Sequence, residues 1–187
     1  MKLLSLFLNR IANWKTLLFS LAIYLLFAAY FLKNAENKIN ELAGKTIGVI
    51  DLTFGFNPQK TLDMVAQYGN AARDYYAQTE MTTDLLYPLV YAFLFGIILT
   101  LLFRNKHHQP FASLNTLPFL CLIFDYAENI NIIILLRTFP EQPYAVAVLC
   151  EVFKLLKWLT LGVVIVAIVY GLIRLLLDKV KRIDVLS

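Results

Sequence analysis

The stretch FLCLIFDYAENINIIILL, residues 119–136, decides how this chain is read. It is long and apolar enough to be most of a membrane-spanning helix, yet Asp125, Glu128, Asn129 and Asn131 sit in its middle. A single Asp or Lys at a helix centre costs about 2.5–3.5 kcal/mol on insertion scales, so these groups need partners. The rest of the sequence has to supply them.

The composition agrees with a bilayer setting. Of 187 residues, 59% are hydrophobic and 14% aromatic, and the mean hydropathy is +0.65. That excludes an ordinary soluble domain. Charged residues, 16% of the chain, gather between apolar runs. The net charge of +4 is not concentrated into a basic patch interleaved with aromatics, so nucleic acid is not an expected partner and membrane lipids are. Cys121 and Cys150 lie in apolar runs and form neither a CxxC pair nor a metal-ligand spacing. They read as small buried hydrophobes.

A helix needs about 20 residues to cross the hydrocarbon core. Four runs qualify, at roughly 16–32, 85–103, 117–136 and 145–177. The expected fold is an all-α membrane protein: a four-transmembrane-helix bundle forming one membrane domain over 1–187, with an amphipathic outer helix in the first extracytoplasmic loop, 33–83. The first run reads as an anchor rather than a cleaved signal, because no small-x-small site follows it. Before it, Leu4, Phe7, Leu8, Ile11 and Trp14 recur at helical spacing, either as a short interfacial helix or as an extension of the first span.

Lys and Arg in the short flanks give the orientation. Lys2, Arg10, Lys15, Arg104, Lys106, Arg174, Lys179, Lys181 and Arg182 fall on one side, so both termini are expected to be cytoplasmic and the chain to sit in the cell (inner) membrane. His107 and His108 lie in the cytoplasmic turn as solvated polar residues.

The loop 33–83 is too long to lack structure. A helical continuation ends near Gly44, IGVIDLTFGFNP is extended or turning, and 59–78 has helical periodicity. That last segment is expected to lie across the bundle mouth, with Tyr68, Tyr75 and Tyr76 on the membrane face and Thr83 capping the next helix. Tyr24, Tyr30, Tyr144 and Trp14 read as interfacial or packing aromatics.

Asp125, Glu128 and Asn129 share one face of the third span, with Asn131 rotated away, and Glu151, Lys154 and Lys157 share one face of the fourth. Counted from Arg137 and Pro143 as the outer boundary, Glu128 lies about 13 Å deep, Lys154 about 16 Å, Asp125 about 18 Å and Lys157 about 21 Å. The expected pairs are Glu128 with Lys154 and Asp125 with Lys157, or the exchange of these, with Asn129 satisfying leftover groups. Asp84, Tyr87 and Tyr91 share a face of the second span, Arg73 is the natural partner of Asp84, and Pro88 falls in the first turn or introduces a kink. Together these residues outline a polar pocket that opens outward.

Several chemistries can be weighed on this set. Asp84, Asp125, Glu128 and Glu151 are hard oxygen donors, but lysines at the same depth would repel a cation, so no metal and no cofactor is expected. Asp125 and Glu128 are the candidates for a general acid or base, beside a desolvated lysine. No GxSxG, HExxH, P-loop or Rossmann fingerprint accompanies them. A proton-coupled transporter would need a homo-oligomer to build alternating access from four spans.

Three stretches, IDLTFGFNP at 50–58, YGNAARDYY at 68–76 leading to DLLYPLVY at 84–91, and FDYAEN at 124–129, carry a resemblance. They resemble a group of uncharacterised four-span bacterial integral membrane proteins with DxxFG[YF], YGxx[GA]RxxY, DxxxPxxY and DYxEN motifs. Ala72 stands at the common glycine position. The resemblance implies that Asp51, Arg73, Asp84, Asp125, Glu128 and Asn129 belong to one arrangement, and it carries no activity.

The functional expectation is a pocket for a small amphiphile or lipid-derived molecule, lined by Arg73, Asp84, Tyr87, Tyr91, Asp125, Glu128, Asn129, Glu151, Lys154 and Lys157. Behind it stand an intramembrane acid–base enzyme acting on a lipid and a structural or partner-binding subunit. A cavity above about 300 Å³ touching Asp84, Glu128 and Lys154 favours binding, a tightly filled interior favours structure, and a carboxylate without a basic partner favours catalysis.

Overall fold

The computed structural model describes residues 1–104 and 113–184, so the reading of Lys106, His107 and His108 lies outside the described residues. All regular elements there are helical: α1 (Lys2–Ile11), α2 (Trp14–Leu26), a π-helical turn (Phe27–Phe31), α3 (Leu32–Ala43), α4 (Pro58–Gln67), α5 (Gly69–Phe103), α6 (Leu117–Thr138) and α7 (Tyr144–Asp184), with short 3₁₀ turns at Ile50–Leu52 and Leu114–Thr116. Four helical stretches are long and apolar enough to cross a membrane: Trp14–Ala43, Gly69–Phe103, Leu114–Thr138 and Tyr144–Asp178. The all-α, four-span architecture is the one the hydropathy pattern calls for.

The N-terminal apolar face forms a helix of its own. Asn13 breaks the chain with a capping box: its side chain accepts from Lys15 N at 2.9 Å and Thr16 N at 3.1 Å, while Thr16 Oγ1 accepts from Asn13 N at 3.0 Å. α1 therefore folds back under the end of α5, where Leu8 is buried and Arg104 donates to the carbonyls of Asn9 (3.0 Å) and Ala12. Gly96 makes room for this. A Cβ there would stand 3.1 Å from the Asn115 carbonyl and 3.2 Å from Leu8 Cδ1.

The outer segment departs from expectation. Asn57 caps α4, with Pro58 at its first position, but the helix ends at Gln67 and Gly69 takes φ +70°. The expected outer helix over 59–78 is thus two helices, and the second runs straight into the second span. Thr83 caps nothing, because it lies in the interior of α5. Tyr68 and Tyr76 do not face lipid. Both are buried with Ile50, Val65, Ile132 and Leu135 in an apolar core at the outer end, and the Tyr68 hydroxyl donates to the Gly48 carbonyl at 2.9 Å. Burial, reinforced by the charges of Asp51 and Glu80, holds that hydroxyl well above the usual tyrosine range, so it remains a donor.

α5, α6 and α7 pack closely on one another, and α4 rests on α7. The first span is different. α2 and α3 pack on α5 but have no more than marginal contact with α7, and α2 buries none of its residues. Cys121 and Cys150 are buried free thiols.

Candidate functional site

Lys157 is the centre of the buried charge. Its ammonium lies 2.5 Å from Glu128 Oε2 and 3.5 Å from Asp125 Oδ1, and Tyr91 donates to Asp125 Oδ2 at 2.8 Å. The expected pair of Asp125 with Lys157 forms. The expected pair of Glu128 with Lys154 does not, and the reason is side-chain direction. Helical side chains lean toward their own N-terminus, so on antiparallel helices Lys157 leans outward from α7 while Glu128 leans inward from α6. The two meet although their Cα levels differ by about 8 Å, or roughly one and a half turns, in the depth count.

The same lean carries Lys154 out of the bundle centre. It pairs with Glu151 on its own helix and donates to Thr53 Oγ1 at 2.6 Å. Glu151 also accepts from the Asn57 N–H at 2.8 Å and from the Thr61 hydroxyl at 2.6 Å. Glu151 and Lys154 are therefore a buried clamp that fastens residues 53–61 to α7.

Arg73 does not meet Asp84. Its guanidinium lies 3.9 Å from the centre of the Phe139 ring and donates to the Val65 carbonyl at 3.1 Å and to Asn70 Oδ1 at 2.5 Å. It serves an orphan carbonyl at the C-terminus of α4. It stays outside because α5 is unbroken from Gly69, which leaves Arg73 three turns above Asp84.

Asn129 has a backbone task. Pro88 lies inside α5, not in a first turn, and its missing N–H leaves the Asp84 carbonyl without a helical donor. Asn129 Nδ2 donates to that carbonyl at 3.2 Å, and the Tyr126 hydroxyl donates to the neighbouring Leu85 carbonyl at 2.7 Å. Asn131, rotated away as expected, returns to the Ala127 carbonyl of its own helix.

The remaining residues surround a cavity of about 470 Å³. Its polar lining is Asp51, Asp84, Asp125 and Lys157, with the Lys33–Glu36 pair, and its aromatic lining is Tyr24, Tyr76, Tyr87, Tyr91, Phe95 and Trp158. Aliphatic side chains complete the walls, among them Ala28 and Leu32 of the first span and Leu161 and Ile165 of α7. The π-helical turn contributes Ala28 to this wall. Of the residues singled out from sequence, Asp84, Tyr87, Tyr91, Asp125 and Lys157 line the cavity; Arg73, Glu128, Asn129, Glu151 and Lys154 do not.

Sequence reasoning missed four participants. Tyr24, read as an interfacial or packing aromatic, stacks on Tyr87 with ring centres 5.8 Å apart. Tyr76 donates to Asp51 Oδ1 at 2.9 Å while accepting from the Ile50 N–H at 2.8 Å. Trp158, ring-packed with Phe54 at 5.1 Å, keeps a buried indole N–H with no acceptor. Glu80 is 2% exposed, neither carboxylate oxygen has a hydrogen-bond partner, and it borders a second cleft of about 220 Å³ between α5 and α6. A signal existed: Tyr76, Glu80, Asp84, Tyr87 and Tyr91 recur at helical spacing along one face of α5. Dividing the chain at Thr83 hid that stripe.

Among the described residues no cluster of His, Cys, Asp and Glu is arranged to hold a metal ion, because the cavity's carboxylates stand on different walls. Comparison with family models, curated proteins and solved structures gives no match for this chain.

Proposed function

We propose that this is a multi-pass protein of the cell (inner) membrane, with both termini cytoplasmic, that binds one small amphiphile or lipid-derived molecule in the cavity and takes it up from the bilayer on the extracytoplasmic side. The observation that carries this reading is the cavity itself. At about 470 Å³ it falls in the range of small-molecule sites, which combine apolar walls with a few placed polar groups. A chain that needed its buried charges only to lock helices would fill that volume. Carboxylates, aromatic rings and aliphatic side chains share its walls, which suits a molecule with a polar head and an apolar tail, and the first span packs on α5 with no more than marginal contact with α7.

The test is native mass spectrometry with lipid identification on protein purified in mild detergent. Ala28→Trp and Leu161→Trp place bulk in the cavity from two of its aliphatic positions. Ala28 lies on a span with little buried surface, so that variant should keep the wild-type unfolding midpoint while losing a defined co-purifying molecule. An identical lipid profile in wild type and both variants would refute the reading. A reporter fused after Ser187 should be active in the cytoplasm.

A second reading, acid–base chemistry on the bound lipid, is favoured by one observation: the Asp84 carboxylate faces the cavity and makes no hydrogen bond or ion pair among the described residues. In that case Asp84→Asn would preserve binding and abolish conversion of the bound lipid. Recovery of the same molecule unaltered from wild type and variant removes it.

A further inference from the structure

We infer that the cavity selects an ammonium-bearing head group, so that its ligand is a single-chain cationic amphiphile rather than an anionic or uncharged one. This rests on the amphiphile-binding reading and adds the charge of the head. The formal charges around the cavity do not balance.

Three carboxylates, Asp51, Asp84 and Asp125, line the cavity against one buried ammonium, Lys157. Lys157 is already engaged by Asp125 and by Glu128, which stands behind the wall. Glu80, buried and without a hydrogen-bond donor, lies within electrostatic reach of Asp51, Asp84 and Lys157 and adds to the same field. At the rim Lys33 and Glu36 pair with each other at 3.4 Å and contribute no net charge. Lys154 is consumed by Glu151. Five acids therefore share one lysine, and Asp51 and Asp84 are the two facing the cavity without a cationic partner.

Asp51 and Asp84 are half-buried, and carboxylates partly withdrawn from water without a counter-charge are costly, so a cationic group in the cavity would offset them. A compact inorganic cation would need its ligands drawn together, and these carboxylates are not so arranged. An alkylammonium fits the spacing better. It is satisfied by diffuse negative potential and by aromatic faces, and Tyr24, Tyr87, Tyr91 and Trp158 line the same cavity as the acids. The chain would lie beside Ala28, Leu32, Leu161 and Ile165.

The experiment measures binding to the full-length protein by native mass spectrometry, with dodecyltrimethylammonium, dodecyl sulfate, dodecanol and the chainless tetramethylammonium as probes. Wild type should bind dodecyltrimethylammonium at least tenfold more tightly than any other probe, and Leu161→Trp should abolish this. Asp84→Asn should erase most of the preference without weakening dodecanol; Asp51→Asn serves if that variant fails to fold. Equal binding of dodecanol and the ammonium probe, still blocked by Leu161→Trp, would show that the acids carry protons. That overturns the charge selection and leaves the cavity reading standing. If no probe is sensitive to Leu161→Trp, both readings fall. Tetramethylammonium binding as well as the long-chain probe would overturn the inference, since the site would then take a free amine and not an amphiphile.

Discussion

Pro88 and Asn129 make a linked pair that can be tested quantitatively. The proline removes the N–H that would serve the Asp84 carbonyl, and Asn129 supplies the substitute donor at 3.2 Å from the facing helix. Asn129→Leu keeps the volume and deletes the donor. A buried carbonyl left unserved costs about 1–3 kcal/mol in general, whereas interhelical side-chain hydrogen bonds in membranes average about 0.6 kcal/mol and reach about 1.7. The Asp84 carbonyl has no backbone alternative, so we expect about 1 to 1.5 kcal/mol, in the upper part of the membrane range. In a Pro88→Ala background the restored N–H at position 88 can reach that carbonyl, and Asn129→Leu should then cost less than about 0.5 kcal/mol, which is within ordinary additivity error. The assay is reversible unfolding in mixed micelles, titrated with dodecyl sulfate and followed by far-ultraviolet circular dichroism for the four proteins of the cycle. Additive single-variant costs, with coupling below about 0.3 kcal/mol, would refute the claim that Asn129 repairs the proline gap.

Other expectations follow from the clamp, the central lysine and the α1 contact. Glu151→Ala strands the Lys154 ammonium, the Thr61 hydroxyl and the Asn57 N–H; the loss of a buried partner should cost about 3–5 kcal/mol and raise hydrogen exchange over residues 53–61. Unchanged protection there would disprove the clamp. Lys157→Met leaves Asp125 and Glu128 facing each other uncompensated and should destabilise by a similar about 3–5 kcal/mol, with most of that recovered on adding Asp125→Asn and Glu128→Gln. A triple variant no more stable than the single one contradicts the ion-pair account. Gly96→Leu must displace Leu8 and the Asn115 backbone, at a cost of about 1–3 kcal/mol, and should speed tryptic cleavage after Arg10; an unaltered digestion rate argues against that close approach.

The four long apolar helices were legible because hydrophobic length is a property of consecutive residues. The Gly44 stop and the Pro58 start were legible for a related reason, since glycine and proline act through their own backbone geometry. What escaped was anything that depended on which helix continues. Gly69 reads locally as one more residue in a helical repeat, and only the packing of α4 on α7 shows that it turns the chain. Once that turn is known, Tyr76 and Glu80 fall on the same uninterrupted helix as Asp84, and Tyr76 joins it in lining the cavity. The lysine assignments failed for a subtler reason. Counting Cα levels put Lys154 and Glu128 close together, but opposed side-chain lean on antiparallel helices moves the match by a turn or more, and only Lys157 reaches. Asn129 could not be assigned from its own segment, because its task is set by a proline on another helix.

The first span supplies one wall of the cavity, yet α2 has no fully buried residue and reaches the cavity only through Tyr24. A bore whose one side is a loosely held stave can be widened or narrowed by residue changes on that stave alone, leaving the three-helix frame untouched. Variation in the size of the guest should therefore be written chiefly at Tyr24, Ala28 and Leu32, and the frame should bear such rewriting without loss of fold.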